Sequence, residues 1–264
     1  MAELAPLLAD LRAEADALDG VVAQLEETAW LGQTPAEGWT IAHQIAHLAW
    51  TDEQALLAAT DPDGFARAVA DAGPELAAAV DDAAGTGATD APELLLARWR
   101  RGRSALADRL VALPNGARLP WFGPPMSAAS MATARLMETW AHGVDVTEAL
   151  NHPPSVSGRL RHVAHIGVRT RDFAFAQHGL PVPTEPFRVE LTAPDGSVWA
   201  WGPEDARQRV TGPALDFCLR VTRRRHRSDL ALRATGPDAD RWLDIAQAFA
   251  GPPGEERPPS GEAE

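Results

Sequence analysis

The sequence predicts a mainly α-helical α+β protein in which a helical region comes first and a small mixed region follows. Apolar residues recur every three or four positions over the first two-thirds of the chain, and after residue 180 they alternate with polar residues. A chain of 264 residues suffices for one large domain or two modest ones. We therefore predict a helical domain over residues 1–180, an α+β domain over 181–250 and a disordered tail over 251–264.

The helices of the first region are separated by glycine and proline. Gly32 and Gly38 enclose a break, and Pro92 stands where the first turn of a helix accepts proline. Residues 114–126 contain four prolines and two glycines, which indicates an irregular loop, and Ser127 or Ser130 is placed to cap the helix that follows. The predicted helices cover about 4–25, 40–60, 65–84, 92–113, 127–150 and 156–178.

The second region begins with a predicted β-hairpin. Residues 187–192 alternate apolar and polar side chains, residues 194–197 form a turn signal, and residues 198–201 continue as a second strand. Further strands are predicted at 208–211 and 229–234, and helices at 213–223 and 238–250. The last fourteen residues are rich in Pro, Gly and Glu, which is the basis for predicting a disordered tail.

The composition excludes several classes of function. A net charge of −13 argues against nucleic acid or an anionic membrane as partner, since both require a clustered basic surface. All 24 basic residues are arginine and tyrosine is absent, which excludes Schiff-base chemistry and a tyrosine acid or base. A single cysteine, Cys218, excludes an internal disulfide and a multi-cysteine metal site. With no signal peptide or membrane span in view, we expect a cytoplasmic protein.

Two predicted helices carry residues that suit a metal site. The second helix holds His43 and His47 in a mostly apolar run, and the helix at 127–150 places Glu138 and His142 four residues apart on one face. Imidazole and carboxylate suit Zn²⁺, Fe²⁺ and Ni²⁺, and three protein ligands leave a position for water or substrate. Asp145 is spaced to take the second N–H of His142. Taken singly, each residue also fits an ordinary core or surface position.

Three segments of the chain resemble a known family: residues 38–40 (GWT), 45–50 (IAHLAW) and 135–145 (RLMETWAHGVD). They are similar to the DinB-like helical bundle family, and more narrowly to its actinobacterial branch of mycothiol-dependent maleylpyruvate isomerases. Residues 120–127 and 212–217 also resemble a group in this branch that is described as metal-binding or as related to wyosine base formation. The resemblance covers nearly the whole chain.

The resemblance implies a four-helix bundle that holds a divalent ion through His47, Glu138 and His142. Zn²⁺ is the first candidate, with Fe²⁺ and Ni²⁺ as alternatives. Asp145 matches the pattern of the branch and would orient His142 or contact bound water. In related enzymes the site activates a low-molecular-weight thiol, which makes mycothiol a candidate cosubstrate.

The resemblance also implies a C-terminal arginine that binds the substrate carboxylate or the thiol. The candidates are Arg223, Arg224 and Arg225, and the same basic run is also explained as the solvated end of a helix. Trp121 and Arg169 are further candidates for lining the site. Core packing is the alternative for Trp121, and a surface position is the alternative for Arg169.

Three functions stay open at this point, each with a small molecule as partner and with a homodimer left undecided. The first is a metal-dependent isomerase or thiol transferase that directs an activated thiol at a small electrophile. The second is a metal-assisted hydrolase or lyase that uses metal-bound water. The third is a non-catalytic binding protein, in which His43 or Asp52 would close the site as a fourth ligand.

Overall fold

A computed structural model describes residues 4–73, 76–252, 254 and 256–260, and these residues form ten α-helices and a four-stranded sheet. The chain divides into two compact units, Met1–Ser155 and Val156–Glu264. The predicted α+β class, with helices dominant, is confirmed. The helices of the first unit are Leu4–Val22 (α1), Ile41–Thr60 (α2), Pro62–Ala72 (α3), Leu76–Gly87 (α4), Pro92–Val111 (α5) and Ala128–Ala149 (α6).

The first unit is built around α2, which packs against α5, α4 and α6, while α1 packs against α6. Most residues of α2 are buried, including polar ones such as Gln44 and His47, as expected for a helix packed on several sides. Its core side chains include Ile45 and Leu48, which pack with Leu95 and Trp99 of α5. Helix α2 is therefore enclosed by its neighbours, and α6 lies on one side of it.

Polar residues fix where the two central helices begin. The backbone N–H of Thr40 donates to Nδ1 of His43, which holds the first turn of α2. The side-chain oxygen of Ser127 accepts from the backbone N–H of Ser130, so Ser127 is the cap of α6. These contacts close the first turns of the two helices that carry the candidate ligands.

The second unit contains the sheet and four helices. The strands are Phe187–Thr192 (β1), Val198–Trp201 (β2), Gln208–Pro213 (β3) and Arg233–Thr235 (β4). Their order is β2-β1-β3-β4, with β1 and β3 parallel and the other two pairs antiparallel, so the predicted β1–β2 hairpin is confirmed. The helices are Leu160–Arg169 (α7), Arg171–Gln177 (α8), Ala214–Val221 (α9) and Pro237–Ile245 (α10). Trp242 packs against Phe187 and Phe217 in the core of this unit.

The helix predicted at 156–178 differs most from the structure. It is two helices, because the chain turns at Thr170, whose hydroxyl donates to the carbonyl of Gln247. Both helices lie in the second compact unit, Val156–Glu264, where Gly167 lies against Val221, and the domain boundary at residue 180 stays a prediction.

Two other predicted elements have different bounds. The helix predicted at 65–84 corresponds to α3 and α4, and residues 74 and 75 between them lie outside the described residues. Residues 227–229 form a 3₁₀ turn, and the fourth strand begins only at Arg233.

The tail predicted to be disordered contacts the rest of the second unit through its described residues. Glu256 forms an ion pair with Arg220, and the backbone N–H of Ser260 donates to the carboxylate of Asp229. Residues 253, 255 and 261–264 lie outside the described residues. Among the helices that the structure describes, none has both the length and the apolar character needed to cross a membrane.

Candidate metal centre

Helices α2 and α6 bring His47, Glu138 and His142 together. Oε2 of Glu138 lies 3.2 Å from Nε2 of His142 and 3.5 Å from Nε2 of His47. The two imidazole centroids are 4.5 Å apart, and one ligand atom from each residue lies within 4.8 Å of the others. Each histidine is 9% exposed, so the group is largely buried but reachable. The three predicted ligands therefore form one cluster, although they come from separate helices.

The second ring nitrogen of His142 is held by Gln44. Nδ1 of His142 lies 2.5 Å from Oε1 of Gln44, and Gln44 is fully buried on α2. Gln44 thus contacts the ring nitrogen that Asp145 was expected to orient, and the orienting role of Asp145 stays a prediction. Asp145 is itself buried on α6, and its predicted contact with bound water stays a prediction. The only sequence signal for Gln44 is an uncharged amide three residues before His47, in an otherwise apolar run.

The neighbouring histidines keep Glu138 ionised. Burial raises the pKa of Glu138, but hydrogen bonds from His142 and His47 outweigh it and hold the pKa well below its ordinary range. A buried carboxylate that stays charged beside two imidazoles is a donor set that suits a divalent cation. Within the described part of the chain, Nδ1 of His47 is buried without a hydrogen-bond partner, and its Nε2 faces the cluster. The residues present therefore fit the metal that the family resemblance implies.

The two residues considered as a fourth ligand are engaged elsewhere. His43 contacts Thr40 at the start of α2. Asp52 forms a buried ion pair with Arg135, with 2.8 Å between Oδ1 and Nε. Among the residues that the structure describes, the metal-ligating cluster has three members. Three protein ligands leave room for an exogenous one, which is the arrangement of catalytic rather than structural zinc sites.

Aromatic rings flank both histidines. The Trp39 ring stacks on His142 with centroids 6.0 Å apart and lies 5.4 Å from His47. The Trp50 ring lies 6.4 Å from His47 on the other side and stacks on Phe122 at 6.0 Å. Both tryptophans are half-buried. The cluster therefore sits beside an apolar surface that can shield it and contact a ligand.

Trp121, a predicted substrate-binding residue, lies at the far end of these rings. It contacts Phe122 at 4.8 Å between centroids and stacks on Phe65 at 5.8 Å. Phe122 in turn stacks on Trp50, so the aromatic row runs without interruption from His47 to Trp121. Trp121 is half-buried, which leaves part of its ring available. Its role in substrate binding stays a prediction.

The arginines predicted to bind substrate all belong to the second unit. Arg223 has a positive φ of 59°, and burial lowers its pKa. The guanidinium of Arg224 donates to the carbonyl of Thr222, and that of Arg225 donates to the carbonyl of Arg224. Arg169 is exposed at the end of α7. Their assignment to substrate stays a prediction.

Arg220 is a buried cation that no sequence pattern singles out. It is fully buried, and its guanidinium donates to the carbonyls of Leu243 and Asp244 at 2.5 Å each. It also forms the ion pair with Glu256. In the sequence it stands three residues before the basic run at 223–225 and resembles part of that run. Its bonds tie α9 to α10 within the second unit.

Comparison with known proteins identifies the chain's relatives. A family model described as the mycothiol maleylpyruvate isomerase N-terminal domain matches residues 11–147, which is more than half of the chain. The chain belongs to this family. The matched residues include the three candidate ligands and Gln44. A second model, described as wyosine base formation, matches residues 183–235 of this family member.

Relatives along nearly the whole chain and two solved structures are also similar to it. Two Mycobacterium tuberculosis proteins, the uncharacterized proteins Rv0036c and MT0041, are each 58% identical over 257 residues, covering 97% of this chain and 100% of their own. Crystal structures of the mycothiol-dependent maleylpyruvate isomerase and of a histidine-to-alanine mutant of it superpose with a TM-score of 0.57. They cover 83% of this chain and 88% of the other at 17% identity, which shows a shared fold.

Proposed function

We propose that this protein is a divalent-metal-dependent enzyme that activates a low-molecular-weight thiol against a small electrophilic substrate. The observation that carries the proposal is the convergence of His47, Glu138 and His142 in a partly open cluster. Family membership and the mycothiol-dependent isomerase structures support a thiol as cosubstrate. Zn²⁺ is the proposed metal, because two histidines and one glutamate form a known catalytic zinc set.

The bound ion would supply the positive charge that lowers the pKa of a thiol and makes it a nucleophile near neutral pH. His47, Glu138 and His142 would hold that ion, and Gln44 would keep the His142 ring in place. Trp39 and Trp50 would exclude water from the cluster and contact the apolar part of a substrate.

The chemistry proposed for the thiol is addition to an activated double bond. A C–S bond forms as the π bond breaks, and the electron pair moves onto the activating group. Rotation about the resulting single bond, followed by loss of the same thiol, gives the isomer with no net change in atoms. If a leaving group departs instead, the product is the thioether of an S-transfer reaction. An arginine among Arg223, Arg224 and Arg225 is the proposed partner for a substrate carboxylate.

The first test is metal content of protein purified without chelator, by elemental analysis. We expect near-stoichiometric metal in the wild type and background metal in folded His142→Ala and Glu138→Gln. His43→Ala is the matched control, since it removes a histidine of α2 outside the cluster and should keep the metal. A wild type that binds no metal after incubation with zinc, iron or nickel salts would refute the proposal.

The second test is turnover of a panel of small electrophiles with and without added thiol. We expect the metal-loaded wild type to require thiol and the Glu138→Gln variant to be inactive. Turnover that is indifferent to thiol would replace this proposal with a hydrolase or lyase. Metal binding without any turnover, together with unfolding on metal removal, would instead support a structural site.

A further inference from the structure

A buried chain of hydrogen bonds connects His142 to the loop before α2. The Thr34 hydroxyl lies 2.7 Å from the carbonyl oxygen of Trp39 and 2.9 Å from Nε2 of Gln44. Oε1 of Gln44 then lies 2.5 Å from Nδ1 of His142. Gln44 is 0% exposed and Thr34 is 8% exposed, so bulk water has little access to this chain.

The direction of every bond in this chain follows from its first member. The carbonyl of Trp39 can only accept, so the Thr34 hydroxyl donates its single proton there. The Thr34 oxygen is then free to accept, which requires the amide nitrogen of Gln44 to face it. The amide oxygen of Gln44 therefore faces His142 and can only accept. It follows that Nδ1 of His142 carries a proton.

This protonation state determines what His142 presents to the cluster. A neutral imidazole with its proton on Nδ1 has a lone pair on Nε2, and Nε2 lies 3.2 Å from Oε2 of Glu138. In the metal-free protein a proton on Nε2 can make the hydrogen bond to Glu138, and a divalent cation that replaces this proton meets the Nε2 lone pair. The hydrogen-bond chain thus prepares Nε2 as a ligand atom.

We propose that Gln44, anchored by Thr34, is a positioning residue that fixes His142 in the Nδ1-protonated tautomer and so presents Nε2 to a divalent cation. The inference rests on the proposed metal site and assigns an orienting role at Nδ1 of His142 to the amide of Gln44. The loop that anchors Gln44 through the Trp39 carbonyl also stacks the Trp39 ring on His142. One loop therefore sets both the plane of the imidazole and the place of its proton.

The tautomer is tested in metal-free protein by ¹⁵N NMR of the histidine side chains, at a pH where they are neutral. The His142 signals are identified by their loss in His142→Ala. We expect the wild type to show a protonated Nδ1 and an unprotonated Nε2. Gln44→Leu removes the acceptor at similar size and should lose this preference, whereas Gln44→Glu restores an acceptor and should keep it.

Thr34→Val tests the anchor, because it removes the hydroxyl that orients the amide. We expect a partial loss of the preference, since Gln44 can then rotate. Thr139→Val is the matched control: Thr139 is also buried, but its hydroxyl donates to the carbonyl of Arg135 on its own helix. That variant should keep the wild-type tautomer. Should Gln44→Leu fail to fold, the comparison of Thr34→Val with Thr139→Val still decides the matter.

The consequence for the metal is tested with Zn²⁺ alone, by competition with a chromophoric chelator. We expect Gln44→Leu to bind zinc about 10–100-fold more weakly, the usual effect of losing a partner of a ligating histidine. Gln44→Glu should bind at least as tightly as the wild type. Folded Gln44→Leu with the wild-type tautomer or the wild-type zinc affinity would overturn the inference. A wild type that binds none of zinc, iron or nickel would refute the proposed function, while the NMR result would still decide whether Gln44 sets the tautomer.

Discussion

Helices α2 and α6 hold two buried polar clusters that differ in whether their charges are balanced within the cluster. In the first cluster, Asp52 and Arg135 form an ion pair, and Arg135 also contacts the carbonyl of Leu48. Arg135 is 1% exposed and Asp52 is 4% exposed. A cation here meets an anion directly, so the cluster is electrically complete without any added ligand.

The second cluster, His47 with Glu138 and His142, is not complete in this sense. Two imidazole Nε2 atoms face one carboxylate oxygen, and neither histidine carries the permanent charge that Arg135 has, while the Glu138 side chain is 20% exposed. The same two helices thus provide one ion pair with balanced charges, the closed cluster, and one group of side chains suited to bind a cation, the open cluster. Burial of charge between helices does not by itself mark a functional site; the balance of donors and acceptors does.

The largest effect is expected from breaking the closed cluster. Asp52→Leu or Arg135→Met leaves a buried charge without a partner, and either should lower the free energy of unfolding by about 3–5 kcal/mol. The double variant should recover much of this loss, because no charge is then left unpaired. Urea denaturation of the metal-free proteins measures both. Single variants within about 1 kcal/mol of the wild type would show that the pair is not buried as described.

The next effect concerns the open cluster and its response to metal. At free zinc about 100 times the dissociation constant, the free energy of unfolding should rise by about 2.7 kcal/mol, and a chelator should remove this increase. Glu138→Gln and His142→Ala should show no increase, whereas the Asp52→Leu/Arg135→Met double variant should retain it. A zinc response that survives in both ligand variants would contradict the division into a closed and an open cluster.

A third charged cluster, around Asp19, differs from the Asp52–Arg135 pair in the direction in which the pKa of its carboxyl is shifted. Asp19 of α1 accepts from Arg100 and Arg103 of α5. The hydrogen bond from Arg100 lowers the pKa of Asp19 against the effect of burial, whereas burial raises the pKa of Asp52 despite Arg135. A carboxyl with a lowered pKa stabilises the fold above its ordinary value of 3.8, and this contribution is lost as the pH falls through the lowered value.

Asp19→Asn should therefore lower the free energy of unfolding by about 1 kcal/mol near neutral pH, since Arg100 is half-exposed. The difference from the wild type should shrink as the pH falls below 3.8. Urea denaturation at a series of pH values measures this change. A difference that stays constant into the acid range would show that the Asp19 carboxylate is not what stabilises the α1–α5 contact.

The smallest effect is expected at the cap of α6. Ser127→Ala removes the acceptor for the Ser130 backbone N–H and should cost about 0.5 kcal/mol, because the cap is exposed. Ser130→Ala is the control, since it keeps that backbone donor and should cost less. Zinc affinity should be unchanged in both, because the ligands lie more than two turns further along α6. Equal losses in the two variants would show that the cap contributes nothing.

The candidate ligands could be predicted from the sequence because their signal is local. Glu138 and His142 are four residues apart, a spacing that places two side chains together on any helix. The apolar run of the second helix offers both His43 and His47, and it is the family resemblance that implies His47 as the partner. Gln44 could not be predicted in the same way. An amide carries no charge, and its role arises only when the loop residue Thr34 and the distant His142 meet on either side of it.

The break between α7 and α8 is a second feature that the sequence pattern does not predict. Periodicity continues from 156 to 178 without a proline near Thr170, so the pattern predicts a single helix. At this break the Thr170 hydroxyl bonds to the carbonyl of Gln247, a residue far along the sequence that no local pattern indicates. Local patterns predict helices and hairpins, whereas a break that coincides with a distant contact is visible only in the folded unit.

The ion pair between Glu256 and Arg220 has a practical consequence for anyone who shortens this chain. Because the last residues are rich in Pro and Gly, a natural choice would be to truncate the chain at about residue 250 to aid crystallisation or to attach a tag. Cutting there would strip the carboxylate from a guanidinium that is fully buried in the second unit. The shortened protein would keep every helix and strand but retain an interior positive charge with carbonyl partners alone. A C-terminal fusion that begins after Ser260 avoids this defect.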